Sequence, residues 1–200
     1  MDSFKTLKEP APEILYKDRK SKFFGYAYPI VSEDEVKPLV DSLRKQHHTA
    51  NHVCYAWQLG TDQIRYRAND DGEPNNSAGM PIYGQIQAHG ITNVLVAVVR
   101  IFGGTKLGVG GLIQAYKTAA QETLAGATVV EQLVKSSFKL EFGYPEMDKV
   151  MRTIKQNKIQ IAYQEMAFTC NMTVAVRKSE AEQTHQLFEQ MQNVKITSID

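Results

Sequence analysis

Residues 93–125, NVLVAVVRIFGGTKLGVGGLIQAYKTAAQETLA, constrain the fold of this chain more than any other stretch. A continuous apolar run from Val94 to Val99, bounded by Asn93 and Arg100, has the pattern of a strand buried on both faces. Two glycine pairs follow, Gly103-Gly104 and Gly110-Gly111, with Lys106 and Gly108 between them. The period then changes. Leu112, Ala115, Tyr116, Ala119 and Thr123 recur at the spacing of an amphipathic helix, and Gly126 stands where a helix C-cap glycine belongs. The unit is strand, glycine-rich loop, helix.

Two physical readings of that loop stand side by side. Glycines let backbone N–H groups converge, a helix N-terminus adds partial positive charge, and Lys106 adds a full one, which together favour an anion, a phosphate above all. The loop is not a Walker A, because no Lys-Ser or Lys-Thr follows the glycines, and GGTKLGVGG lacks the GxGxxG spacing of dinucleotide sites. The other reading is structural: glycines supply positive φ and close strand–helix packing.

The 200 residues fit one large or two small domains, and 42% hydrophobic residues suffice for a globular core. The start has no cationic segment followed by an apolar one, and no apolar run approaches the roughly 18 residues of a membrane span. A soluble, cytoplasmic protein is therefore expected. Cys54 and Cys170 lie far apart and form no CxxC motif, which suits a reducing compartment. A net charge of +1 excludes a global nucleic-acid footprint. Basic residues do cluster locally, at Lys17, Arg19, Lys20 and Lys22 and again at Arg65 and Arg67.

Residues 1–12, with Pro10 and Pro12, read as a frayed or loosely docked terminus. Ile14–Tyr16 and Phe23–Pro29 read as strands joined by the basic turn KDRKSK. Ser32 and Glu35 form a capping-box pair before a helix carrying Val36, Leu39, Val40 and Leu43, with Pro38 moving its start toward Lys37. His52–Leu59 and Ile64–Arg67 read as a hairpin. Past NDDGEPNNSAGMP, Ser77 is a candidate cap for a helix through Ile82 and Ile86 to His89. The pattern changes near residue 127. Alternation at Phe138–Phe142, at Ile159, Ile161 and Tyr163, at Met172–Val176 and at Val194–Ile196 marks four strands. Between them stand a helix opened by Pro145, with Met147, Val150, Met151 and Ile154 on one face, and a helix capped by Ser179 and Glu182. The order β-α-β-β-α-β is that of a split βαβ, ferredoxin-like unit.

DDGEPNNSAGMPI (Asp70–Ile82) and VVRIFGGTKLGVGGLIQAY (Val98–Tyr116) closely resemble the two signatures of the IMPACT/YigZ family. SKFFGYA (Ser21–Ala27) and HVCYAW (His52–Trp57) resemble its other recurrent segments. The resemblance implies an α+β protein of two domains. Residues 1–130 would have the fold of domain two of the small-subunit ribosomal protein S-five. Residues 131–200 would be a ferredoxin-like domain similar to those of elongation factor G. Eukaryotic relatives regulate translation initiation under stress through an additional domain. For bacterial members the resemblance supplies no reaction and no cofactor.

Asp70, Asp71 and Glu73 are candidates for Mg²⁺ binding or acid/base work, with Ser77 and Gly79 in the same loop. Asp-Gly and Glu-Pro are also ordinary turn dipeptides. His52 and Cys54 alternate on one strand face, but two ligands make no zinc site, and no third group orients a Cys–His pair. Arg65, Arg67, Arg100 and Lys106, with Gly103, Gly104, Gly108, Gly110 and Gly111, are expected to line one concave basic surface that meets RNA, the ribosome or a translation factor. The alternatives are an enzyme acting on a phosphorylated small molecule and a protein–protein adaptor. The fold that the resemblance implies for the first domain is shared with the small-molecule GHMP kinases, but their glycine-serine loop is absent, which speaks against kinase activity.

Overall fold

The computed structural model describes residues 2–199. The chain divides into two units, Phe4–Gln132 and Leu133–Asp200 with the first three residues. Both are mixed α and β. Among the described residues no helix is long and apolar enough to cross a membrane.

The first unit runs β1 (Ser3–Leu7), β2 (Ile14–Asp18), β3 (Ser21–Pro29), α1 (Val36–Gln46), β4 (His52–Leu59), β5 (Arg65–Asn69), α2 (Gly79–Ala88), β6 (Val94–Ile101), α3 (Gly108–Ala125) and β7 (Val129–Leu133). Five strands form one antiparallel sheet in the order β2-β3-β6-β4-β5. The apolar run of β6 explains its central place, and the first seven of its eight residues are buried. Val94, Val96 and Val98 pack with residues of α2 and α3, while Leu95, Ala97 and Val99 pack with Val36, Val40 and Leu43 of α1. Covering both faces with helices makes an antiparallel sheet that carries a continuous hydrophobic strand.

The N-terminal stretch is not frayed. β1 pairs with β7, the Thr92 N–H donates to the Lys5 carbonyl at 2.9 Å, and Leu7 is buried in the α2–α3 core. The expected terminus lacked only its partner strand, which lies more than a hundred residues away. The capping box of Ser32 and Glu35 is present, on a short 3-10 turn that runs into α1. Pro38 sits in the first turn of α1, where its missing N–H is an orphan in any case.

The second unit runs β8 (Lys135–Phe142), α4 (Met147–Gln156), β9 (Gln160–Met166), β10 (Cys170–Arg177), α5 (Ala181–Glu189) and β11 (Val194–Ser198). Its antiparallel sheet has the order β11-β8-β10-β9. Phe138, Leu140, Phe142, Met172, Val174 and Val176 pack against Val150 and Ile154 of α4 and Phe188 of α5. Two expectations fail here. The pairing of β9 with β10 shifts between Val174↔Ile161 and Thr173↔Tyr163, and this bulge turns Tyr163 away from the core, 58% exposed. α5 starts at Ala181 with Glu180 as its N-cap and no side-chain cap, so Ser179 and Glu182 form no capping box.

One close approach decides how the glycine-rich loop sits. The Gly103 N–H donates to the Ser21 hydroxyl at 3.2 Å, and a Cβ on Gly103 would lie 2.0 Å from the Lys20 carbonyl carbon. A Cβ on Gly110, in the first turn of α3, meets nothing within 4 Å. Gly103→Ala is therefore expected to lower stability in urea unfolding by about 1–3 kcal/mol, as overpacking does. Gly110→Ala is expected to raise it by about 0.4–1 kcal/mol.

Candidate functional site

The acidic loop after β5 is built from the inside by Asp70. One carboxylate oxygen of Asp70 accepts the N–H groups of Ala78 at 3.0 Å and Gly79 at 2.8 Å, and the other accepts that of Asn76 at 2.8 Å. Asp70 thus caps α2 from eight residues upstream. Ser77 does not, because its hydroxyl donates to the Pro74 carbonyl at 2.6 Å. A Cβ on Gly79 would lie 2.5 Å from the Asn69 nitrogen, so only glycine lets the helix start this close to β5. Asp71 is equally occupied: it accepts from the Val53 N–H and from the Arg44 guanidinium, each at 2.6 Å. Both aspartates act as turn and cap residues.

Glu73 differs. Its side chain is 4% exposed and forms a 2.6 Å ion pair with Arg100, whose side chain is 7% exposed. The Tyr116 hydroxyl from α3 donates to the same carboxylate oxygen at 2.8 Å. The Cys54 thiol lies 3.3 Å from the Tyr116 oxygen and 3.0 Å from the Asp70 carbonyl. Burial pushes the Tyr116 phenol and the Cys54 thiol far above their usual ranges, so both keep their protons. Cys54 is therefore no nucleophile. His52 Nδ1 is 2.8 Å from the Asp71 carbonyl, an acceptor, which places the proton on Nδ1 and leaves Nε2 3.9 Å from Glu73.

Beside this cluster lies a pocket of about 440 Å³. Asn51, His52, Glu73 and Arg100 line it from the sheet side, and Phe102, Lys106 and the start of α3 line it from the other. Gly104 and Gly108 take left-handed φ angles of 89° and 73° as the chain turns around Lys106. Gly110 and Gly111 belong to the first turn of α3, which has no side-chain cap. Lys106 is exposed and has no ion-pair partner among the described residues.

The four cations expected on one surface do not share one. Trp57 pairs with Arg67 and Leu59 with Arg65, so both arginines stand on the α1 side of the sheet. Arg100 follows Val98 on the α2–α3 side. The period of two along each strand separates the pairs. A different contact is made instead: Gly103 seats the glycine-rich loop directly against Lys20 of the basic turn. No local pattern announces that contact across 82 residues of sequence. Phe102 and Asn51 were also not anticipated; a large exposed aromatic directly after a buried strand was the available signal.

The Impact N-terminal domain model matches residues 19–124, from the basic turn to the end of α3, and so includes both loops. The chain belongs to the IMPACT family. An IMPACT family member from Thermus thermophilus is 37% identical over 71% of this chain and 76% of its own. A solved structure described as a hypothetical protein is 25% identical, covers 100% of this chain and 98% of its own, and superposes with a TM-score of 0.74. A structure of the two-domain translational regulator Yih1 is 28% identical, covers 59% of this chain and 46% of its own, and has a TM-score of 0.40.

Because Glu73 and Arg100 are both withdrawn from water, each is the other's counter-charge. Arg100→Met or Glu73→Met alone is expected to cost about 3–5 kcal/mol in chemical denaturation, by leaving a buried charge unpaired. The double variant is expected to lose clearly less than the sum of the two.

Proposed function

We propose that this IMPACT family protein works in the regulation of translation, and that its first unit binds RNA, most directly the RNA of the ribosome, through the basic turn and the glycine-rich loop. Membership of the family supports the translational part of the reading, given the role expected of its eukaryotic members. The chemistry of one turn supports the RNA part.

That turn holds charge at a cost. β2 and β3 are joined by two residues, Arg19 and Lys20, with φ angles of 43° and 68°. A two-residue hairpin with both positions at positive φ normally carries Asn-Gly or Gly-Gly, and a side chain there costs on the order of 1–2 kcal/mol. Lys17 and Lys22 stand directly opposite each other across the same hairpin, a like-charge pairing that destabilises it further. Lys17, Arg19, Lys20, Lys22 and Lys106 are all exposed, and none has an ion-pair partner among the described residues. Strain and repulsion concentrated in one exposed turn point to a polyanionic partner that relieves them.

The alternative of an enzyme acting on a phosphorylated small molecule is weakened by its carboxylates. Asp70 and Asp71 are spent on backbone and Arg44, and Glu73 on Arg100. We also assign residues 1–130 to the S-five domain-two-like fold and residues 131–200 to the ferredoxin-like fold of the elongation-factor-G domains. The β11-β8-β10-β9 strand order supports the second assignment.

Co-sedimentation with ribosomes and with bulk RNA, titrated with salt, tests the reading. The wild type is expected to bind at low salt and to release steeply as salt rises. The Arg19→Ala/Lys20→Ala/Lys22→Ala variant is expected to lower the log–log salt slope by about 2 while unfolding at no lower urea concentration than the wild type. Absence of binding at low salt, or an unchanged slope in the variant, contradicts the proposal.

A further inference from the structure

The pocket at the start of α3 is built from residues other than the basic turn, and three features describe what fits it. The first is a buried cation with unused donor capacity. Arg100 lines the pocket with a side chain 7% exposed, gives one nitrogen to Glu73, and has a buried Nε with no hydrogen-bond partner among the described residues. The second is a set of unclaimed positive groups on the facing side. Lys106 has no ion-pair partner among the described residues, and the uncapped first turn of α3 opens beside it, with free space at Gly110. The third is an aromatic platform. The Phe102 N–H is held by the Asn51 side-chain oxygen at 2.8 Å, the residue is 41% exposed, and the Arg100 guanidinium lies 5.5 Å from its ring centroid.

We infer that this pocket binds a nucleoside monophosphate unit, its phosphate on Lys106 and the N–H groups of α3 and its base on Phe102. A volume of about 440 Å³ exceeds what a bare phosphate needs and falls in the roughly 300–1,000 Å³ range of small-molecule sites. Leu107, Val109 and Leu112 give the apolar wall that a base and sugar require and an inorganic anion does not. Glu73 does not oppose the phosphate, since Arg100 balances its charge and Tyr116 shares its oxygen. His52, protonated on Nδ1 toward the Asp71 carbonyl, presents Nε2 as an acceptor for a sugar hydroxyl. A free mononucleotide and the 5′-phosphorylated end of an RNA chain carry this same chemistry.

Calorimetric titration of the full chain with AMP, adenosine, inorganic phosphate, and a short oligoribonucleotide with and without a 5′-phosphate tests the inference. AMP is expected to bind saturably, with adenosine and phosphate each weaker by about tenfold or more. Lys106→Ala and Phe102→Ala are each expected to weaken AMP about tenfold, while the Arg19→Ala/Lys20→Ala/Lys22→Ala variant binds AMP like the wild type. Tighter binding of the 5′-phosphorylated oligonucleotide than of its 5′-hydroxyl form, lost in Phe102→Ala, assigns the site to an RNA end; equal binding of the two assigns it to the free nucleotide. No AMP binding by the wild type, phosphate binding as tight as AMP, or full affinity in either pocket variant overturns the inference. Loss of ribosome binding in the turn variant with AMP binding intact separates this site from the basic turn proposed for RNA.

Discussion

The buried ion pair between Arg100 and Glu73 holds together the two segments that make this unit more than a covered sheet. Arg100 comes from the penultimate position of β6, before the glycine-rich loop, and Glu73 from the middle of the acidic loop. Tyr116 adds a contact from α3, so one carboxylate oxygen joins sheet, loop and helix. Apolar residues of similar volume would often stabilise such a position as well. What a Met–Met pair would not do is hold a guanidinium at the edge of a pocket, with Phe23 and Phe102 both within 6 Å of its carbon.

Around that pair the polar residues divide into two kinds. Asp70, Asp71 and Arg44 have their hydrogen-bonding capacity used by backbone or by each other, and they set the path of the acidic loop and the start of α2. Lys106 and the cations of the β2–β3 turn have no ion-pair partner among the described residues. The glycines divide likewise. Gly79 and Gly103 are there because backbone passes too close for a Cβ, whereas Gly110 faces open space. The structural reading of the glycine-rich loop thus holds at Gly103, while nothing crowds Gly110 at the start of α3.

The elements were largely legible in the sequence, because each carries its own period: β6 a continuous apolar run, α3 a repeat of three and four, β10 a strict alternation. What the sequence hid was long-range pairing. β1 looks like a loose terminus until β7 is placed beside it, and the bulge that exposes Tyr163 needs the register of β10 to be seen. The candidate site was legible residue by residue but not in arrangement. Arg65 and Arg67 are separated from Arg100 by the thickness of a sheet, a fact of strand order that no spacing along the chain encodes. The cap on α2 went to Asp70 instead of Ser77, since a carboxylate eight residues back satisfies two N–H groups at once.

Hydrogen–deuterium exchange on Glu73→Gln tests most directly whether the ion pair couples the two loops. If it does, amides of residues 70–79 and of residues 102–111 lose protection together, while those of β3 and β4 keep theirs, because the opening is local and not global. Loss of protection confined to residues 70–79, with the glycine-rich loop unchanged, would contradict the account: the two loops would then be held independently and the pair would be only a local brace.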